Sequence, residues 1–283
     1  MGARCVKFRD GVFRGSLMSA IVIEGSLVHY EYLGRGRPLL FIHGWLGSWR
    51  YWMATMEELS SHYRTYALDL WGFGDSDKSR NQYTVREYVE QVRAFLDSLG
   101  ILHLRVPVVG HALGATVAVN FARQYPQCVD RILAVSLPLT GAAVNRRLLT
   151  QGSGSLFDRV LGRDPLGSYR DVEVEVDKTA PVAVAFSVQS VMAHDLRSLI
   201  NDLQVPLLAV YGGRDTVVTP PEDEHFHRED GLLRAITFPN SRHFPMLDEA
   251  SKFTRLLTDF LELEEGQSLD VLEVKEEWRR RIR

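Results

Sequence analysis

Cysteine is scarce in this sequence. Its 283 residues include only two, Cys5 and Cys128, and their spacing matches neither a metal site nor the disulfide framework of a small secreted domain. We therefore expect a reducing compartment, the cytoplasm. Residues 1–18 carry basic side chains but no sustained apolar core before a cleavage site, so they do not match a secretory signal.

Long apolar runs and an excess of charge are also missing. No stretch of about 18 uncharged apolar residues occurs, so we predict no membrane-spanning helix. The 33 Lys and Arg nearly balance the 36 Asp and Glu, which predicts neither a nucleic acid nor an anionic membrane as a partner. A chain that is 45% hydrophobic at this length can bury one large core. The composition does not predict an oligomeric state.

Short apolar strands alternate with helices along most of the chain. A β-hairpin is predicted within residues 21–33, and the apolar run PLLFI leads into His43. Strand and helix signals then alternate as far as Leu139 and resume after Gln204. Because continuous apolar strands are buried on both faces, the pattern predicts an α/β protein with a doubly wound, mostly parallel sheet.

The alternation breaks in the middle of the chain. Residues 140–204 contain a glycine-rich piece, a charged alternating piece (DVEVEVDK) and a helical pair, and we interpret them as a small helical cap inserted late in the sheet. Residues 19–139 and 205–265 would form the core, and residues 1–18 an N-terminal extension. Residues 266–283 predict an amphipathic C-terminal helix that docks on the core or, less simply, contacts a partner or a membrane surface. Its apolar face would comprise Val271, Val274 (or Lys275), Trp278 and Ile282.

Residues 106–119, VPVVGHALGATVAV, predict a strand, a sharp turn and a helix around Ala112. Glycines lie two residues before and two residues after this alanine. Where such a turn forms a nucleophile elbow, its centre is a serine. A methyl group can neither attack a carbonyl nor donate a hydrogen bond. The nearby hydroxyls of Ser48 and Thr116 lie off the tip of the turn and are poor substitutes.

Two further loops carry titratable side chains after predicted strands. VYGGRDTVVTP presents Asp215, and FPNSRHFPMLDEA presents His243. Enough chain separates them for one helix and one strand, so both loops should open at the same edge of a parallel sheet. The order of elbow, Asp and His is a known order for a catalytic triad, and it predicts His243 as a catalytic base. Asp69, in ALDLWGFGDSDK, is expected instead to stabilise a turn.

The loop after the PLLFI strand offers backbone donors. IHGWLGS could aim the Trp45 N–H into a cavity, and the Leu113 N–H follows the centre of the turn. Two such N–H groups form an oxyanion hole without any special side chain. An ordinary glycine turn is the plainer interpretation of IHGWLGS taken alone. We also expect the substrate pocket to be lined by His43, Gly44, His111 and Phe244.

Together these motifs resemble the α/β-hydrolase superfamily. HGWLGS, DLWGFGDSD, GHALGA, GGRDTVVTP and SRHFPMLDE stand in the usual order of that family, and the resemblance covers about residues 19–264. It implies the α/β-hydrolase fold, a dyad in which Asp215 orients His243, an oxyanion hole formed by Trp45 and Leu113, and a cap that shapes the pocket. The sequence contains no recognisable metal site and no phosphate-binding loop, so we predict neither a metal nor a cofactor.

The departure from the family is Ala112, which stands where the family carries Ser, sometimes Asp or Cys. Three interpretations remain open: a serine hydrolase whose nucleophile was replaced, an enzyme in which His243 acts without a covalent step, and a catalytically silent protein that binds a small ligand under its cap. Both enzymatic interpretations predict an esterase-like hydrolase of a small, largely apolar ester, lactone or amide. Serine-dependent activity is expected to be absent.

Overall fold

One eight-stranded sheet organises the fold, in the order β1-β2-β4-β3-β5-β6-β7-β8. The computed structural model describes residues 19–149 and 169–274. The strands are β1 (Ser19–Ile23), β2 (Ser26–Leu33), β3 (Arg37–Ile42), β4 (Tyr63–Leu68), β5 (Val106–His111), β6 (Val129–Val135), β7 (Leu207–Gly212) and β8 (Leu233–Phe238). The β1–β2 and β2–β4 pairs are antiparallel and all other pairs are parallel. The predicted hairpin and the mostly parallel sheet are confirmed.

Helices lie in the connections between the strands from β3 to β7 and after β8, whereas the β7–β8 connection contains only a 3-10 turn, Asp223–Phe226, where the sequence predicted a helix. They are α1 (Met53–Leu59), α2 (Val85–Ser98), α3 (Leu113–Gln124), α4 (Arg170–Val176), α5 (Pro181–Met192), α6 (Arg197–Asn201), α7 (Pro245–Asp248) and α8 (Ala250–Leu261). Helix α2 packs against α3, and α1 packs against α8. Every residue of β5 and of β7 is buried, as the continuous apolar runs predicted. No helix in the described ranges is long and apolar enough to cross a membrane.

Helix α3 lies unusually close to the centre of the sheet. A Cβ atom placed on Gly110 would lie 2.4 Å from the Gly114 carbonyl oxygen, and one on Gly114 would lie 2.3 Å from the Ile42 carbonyl oxygen. Neither position has room for a side chain, so these two glycines let α3 begin directly against β3 and β5. The turn between β5 and α3 is thereby held at the carboxyl edge of the sheet.

Two segments differ from the sequence-based expectation. Strand β6 ends at Val135 rather than continuing through SLPL, because Ser136 adopts a left-handed conformation with a φ of 47°. The alternating piece DVEVEVDK forms helix α4, in which Val172, Glu175 and Val176 are buried. Their spacing of three and four residues suits a helix, and the apparent alternation conceals it.

The region predicted as a cap packs above the strand ends. Helices α5 and α6 form where the helical pair was predicted, and the Trp45 indole Nε1 donates a hydrogen bond to Ser187 of α5 at 3.0 Å. Thr140 forms an isolated β-bridge with Asp195. Residues 150–168, a large part of the predicted cap, lie outside the described residues. The division into extension, core and cap therefore stays a prediction.

The predicted C-terminal helix is only partly described. Up to Val274, a 3-10 turn at Leu269–Val271 stands where an α-helix was expected. Leu269 and Leu272 are buried there, whereas Val271 is 55% exposed, so the predicted apolar face does not start at Val271. The remaining predicted members of that face, and the N-terminal residues 1–18, lie outside the described residues.

Reciprocal capping at the start of α2 generates a stability prediction. The Glu87 N–H donates to Thr84 Oγ1 at 3.4 Å, and the Thr84 N–H donates to Glu87 Oε2 at 3.3 Å. Because Thr84→Ala removes the capping hydroxyl, we expect it to lower the free energy of unfolding by about 1 kcal/mol in urea titrations. The exposed neighbour Arg86→Ala is the control and should change it by less than about 0.5 kcal/mol. Equal losses in both variants would argue against the capping role.

Candidate active site

The residues singled out in the sequence follow strands whose carboxyl ends lie side by side. Gly44 and Trp45 follow β3, Ala112 follows β5, and the loops after β7 and β8 carry Asp215 and His243. In open α/β sheets this edge is where ligands bind. The sheet order places β3, β5, β6, β7 and β8 next to one another, so these loops share one edge.

Asp215 and His243 form a buried pair. The His243 Nδ1 lies 2.8 Å from Asp215 Oδ2, and that oxygen also accepts a hydrogen bond from the Ser136 hydroxyl at 2.8 Å. Asp215 Oδ1 accepts from the N–H groups of Val217 and Val218 at 2.8 and 3.0 Å. Burial raises the pKa of Asp215, but the charge of His243 and these hydrogen bonds outweigh burial, so the pKa lies below its ordinary value.

The Asp215 carboxylate determines the tautomer of His243. An ionised carboxylate can only accept hydrogen bonds, so the neutral imidazole carries its proton on Nδ1 and leaves Nε2 bare. This Nε2 is buried and has no hydrogen-bond partner among the described residues. A buried acceptor without a donor is rare in folded proteins. The Nε2 atom of His243 is therefore a proton acceptor to which no group in the described residues donates.

Ala112 lies at a strained turn. Its φ of 48° and ψ of −106° are unusual for a residue with a side chain, and its N–H donates to the Val135 carbonyl at 2.8 Å. Its side chain is buried and carries no hydroxyl. The two nearby hydroxyls are occupied: Ser48 Oγ accepts from the Arg50 N–H at 3.2 Å, and Thr116 Oγ1 donates to the Ala112 carbonyl at 3.4 Å. This strained turn suits a nucleophile elbow, and the assignment of Ala112 to the nucleophile position stays a prediction.

The loop after β3 uses one backbone donor and leaves the next one available. The Gly44 N–H donates to the Tyr51 hydroxyl at 2.6 Å. Within the described ranges, the N–H groups of Trp45 and Leu113 have no hydrogen-bond acceptor. Two free donors at this edge suit an oxyanion hole, and their assignment to that role stays a prediction.

His43 uses both ring nitrogens inside the protein. Its Nδ1 donates to the Gly44 carbonyl at 2.8 Å, and its Nε2 accepts from the Leu70 N–H at 2.9 Å. Burial lowers the pKa of His43, which keeps the ring neutral. His43 thus braces the loops after β3 and β4, and the structure gives it no free polar atom for a ligand. Its expected place in the pocket lining stays a prediction.

His111 and Phe244 lie against His243. The His111 ring centroid lies 4.5 Å from that of His243 and 4.9 Å from that of Phe244. The His111 Nδ1 lies 3.0 Å from the Tyr51 hydroxyl, and its Nε2 lies 2.9 Å from the His243 carbonyl oxygen. Both rings are therefore in the immediate surroundings of the pair, and both are buried.

Sequence reasoning missed Ser136 and Tyr51. Ser136 follows the carboxyl end of β6, so a correct strand end would have placed it at the shared edge. Tyr51 lies in a 3-10 turn, Trp49–Trp52, and no motif distinguishes it. Its partner His111 is 60 residues away in the chain, which no local pattern reports.

One cluster of potential metal ligands occurs among the described residues: His29, Asp69 and Asp75. Its atoms already have partners. Asp69 Oδ2 lies 2.9 Å from His29 Nδ1 and accepts from the Asp75 N–H at 2.9 Å, and Asp75 forms an ion pair with Lys178 at 3.0 Å. Asp69 thus stabilises its turn, as expected. The prediction that the protein needs no metal or cofactor stays a prediction.

Comparisons with known proteins agree with this fold. A family model described as alpha/beta hydrolase fold matches residues 37–179. An uncharacterized protein of Mycobacterium tuberculosis is 28% identical over 88% of this chain and 82% of its own length, and a pimeloyl-[acyl-carrier protein] methyl ester esterase of Vibrio cholerae is 24% identical over 82% and 97%. The crystal structure of an enol-lactonase from Burkholderia xenovorans superimposes with a TM-score of 0.74 at 21% identity, covering 87% of this chain and all of that one. At 21% identity, the similarity to the enol-lactonase structure shows a shared fold and no more.

Two buried histidines, His43 and His111, predict acid-sensitive stability. In the buried His29, burial lowers the pKa, but the hydrogen bond to Asp69 and the Asp69 charge outweigh burial, so its raised pKa acts in the opposite direction. Burial, with the charge of His243 in second place, holds the pKa of His111 well below its ordinary value, and burial also lowers that of His43. Histidines in the unfolded chain take up protons below about pH 6.5. Since the native protein does not take them up there, the free energy of unfolding should fall as pH drops from about 7 to 5.

Urea titrations at several pH values test this. His111→Gln should flatten the pH dependence, whereas the exposed His103→Gln should retain it. A pH dependence that is identical in all three proteins would show that His111 is not held neutral.

Proposed function

The chain belongs to the α/β-hydrolase family, and on that premise we propose that it hydrolyses a small, largely apolar ester, lactone or amide through a water activated by His243. No covalent acyl intermediate forms in this proposal. The observation that carries it is the buried Nε2 of His243, which has no partner among the described residues while Nδ1 is held by Asp215. We also propose a cytoplasmic location, from the scarcity of cysteine.

The reaction needs only groups that the site contains. His243 Nε2 takes a proton from water while the water oxygen bonds to the substrate carbonyl carbon. The developing oxyanion accepts hydrogen bonds from the N–H groups of Trp45 and Leu113. The tetrahedral intermediate then breaks its bond to the leaving group, which takes the proton back from His243. Asp215 stabilises the imidazolium in between.

Relatives support this substrate class. The Vibrio cholerae relative is a methyl ester esterase, and an enol-lactonase shares the fold. Both names describe carbonyl substrates with an oxygen leaving group. The fully buried rings of Trp45 and Phe244 favour a substrate of low polarity.

A second candidate is a serine hydrolase that has lost its nucleophile. The strained φ of 48° at Ala112 favours it, because a turn of this kind is costly and its known use is to present a nucleophile. In this case a serine at position 112 would restore the covalent route. The two candidates differ in what the chain does as it stands.

Kinetics on a short-chain aryl ester separate these functions. The parent chain should show slow turnover without a burst, and His243→Ala should lose about 10²- to 10⁴-fold in rate. The exposed His103→Ala is the matched control and should keep the parent rate. Turnover with an acyl burst in Ala112→Ser, and none in the parent, would replace the proposal by the second candidate. Silence in the parent and in Ala112→Ser would indicate either a protein that only binds its ligand or an enzyme for a different substrate.

A further inference from the structure

We propose that Tyr51 is a positioning residue that couples the oxyanion loop to the His243 loop through His111. Three buried hydrogen bonds stand in series: Gly44 N–H to Tyr51 Oη at 2.6 Å, Tyr51 Oη to His111 Nδ1 at 3.0 Å, and His111 Nε2 to the His243 carbonyl at 2.9 Å. We call these four residues the Tyr51 relay. As a statement about catalysis it rests on the proposed function.

The two ends of the relay determine which group donates and which accepts in each of its hydrogen bonds. The Gly44 amide can only donate, and the His243 carbonyl can only accept. Tyr51 therefore accepts from Gly44 and gives its own proton to His111 Nδ1, and His111 carries its single proton on Nε2. Burial raises the pKa of Tyr51 well above its ordinary value, so the hydroxyl keeps the proton that it donates.

At the oxyanion loop, the relay decides which N–H remains available. The Gly44 N–H is occupied by Tyr51, and the Gly44 carbonyl accepts from His43 at 2.8 Å. Since both polar groups of this residue are held, the direction of the following N–H, that of Trp45, is held as well. A Cβ on Gly44 would lie 2.8 Å from His111 Nδ1, so the loop lies directly against the elbow. A displacement of this loop therefore displaces the elbow as well, and the reverse.

At the other end, the relay holds the backbone of the base. The His243 carbonyl accepts from His111, whereas the single proton of the Ser136 hydroxyl, 3.4 Å from this carbonyl, is donated to Asp215 at 2.8 Å. The imidazole is held separately, by Asp215 at 2.8 Å. Loss of the relay would therefore loosen the backbone of His243 without removing the bond that sets its tautomer.

Tyr51→Phe breaks the relay at its centre. The substitution keeps the ring but leaves the Gly44 N–H and His111 Nδ1 without partners. Because both the oxyanion donor and the base depend on the relay, we expect kcat to fall by about 10²-fold with KM nearly unchanged. The matched control is Tyr88→Phe, whose fully buried hydroxyl donates to the Trp71 carbonyl at 3.1 Å. It should keep kcat within about twofold, as expected for a tyrosine away from the reacting groups.

A double-mutant cycle shows whether Tyr51 acts through His111. His111→Phe alone and Tyr51→Phe alone should each lower kcat, and the double variant should lose no more than the worse single variant. If the two losses multiply, or if Tyr51→Phe and Tyr88→Phe lower kcat equally, Tyr51 has only a general structural role and the proposal is wrong.

Nuclear magnetic resonance tests the relay without any turnover. Ring ¹⁵N spectra of the parent should show opposite neutral tautomers, with the proton on Nε2 in His111 and on Nδ1 in His243. Tyr51→Phe should shift the Trp45 amide resonance, and Tyr88→Phe should not. A proton on Nδ1 of His111, or an unmoved Trp45 amide, would overturn the relay even in an active enzyme. An inactive parent with the expected tautomers and shifts would instead refute the proposed function and leave the coupling of the two loops standing.

Discussion

The absence of side chains at Gly110 and Gly114 is the constraint on which the rest of the site depends. It lets helix α3 begin against β3 and β5, so that the backbone of the helix lies only a few ångströms from the backbones of both strands. The chain must then reverse within one residue, and Ala112 takes the strained conformation that this requires. Every other group of the site is arranged around that turn.

Three buried residues near the turn have hydrogen-bonded polar side-chain atoms, in contrast to one ring nitrogen of His243. His43, Asp69 and His111 each use their polar side-chain atoms in hydrogen bonds to other loops. These bonds repay the cost of burying polar atoms. The Nε2 of His243 has no such partner among the described residues, although its ring is equally buried.

Ala112 leaves the centre of the turn without a hydroxyl. In the function that we propose, the attacking oxygen comes from water, so the rate depends on how well base, water and oxyanion donors are aligned. This requirement gives weight to contacts that hold loops in place, among them the relay through Tyr51 and the bond from Trp45 to Ser187.

The sequence by itself predicted a mostly parallel sheet and placed Ala112, Asp215 and His243 after its strands, because apolar periodicity is a local property. It did not reveal that DVEVEVDK is helical, since valines four residues apart satisfy both periods. Only the tertiary structure decided the partners: Ser136 meets Asp215 across 79 residues, and Tyr51 meets His111 across 60. Such pairings depend on where loops converge in space, and no local pattern encodes that convergence.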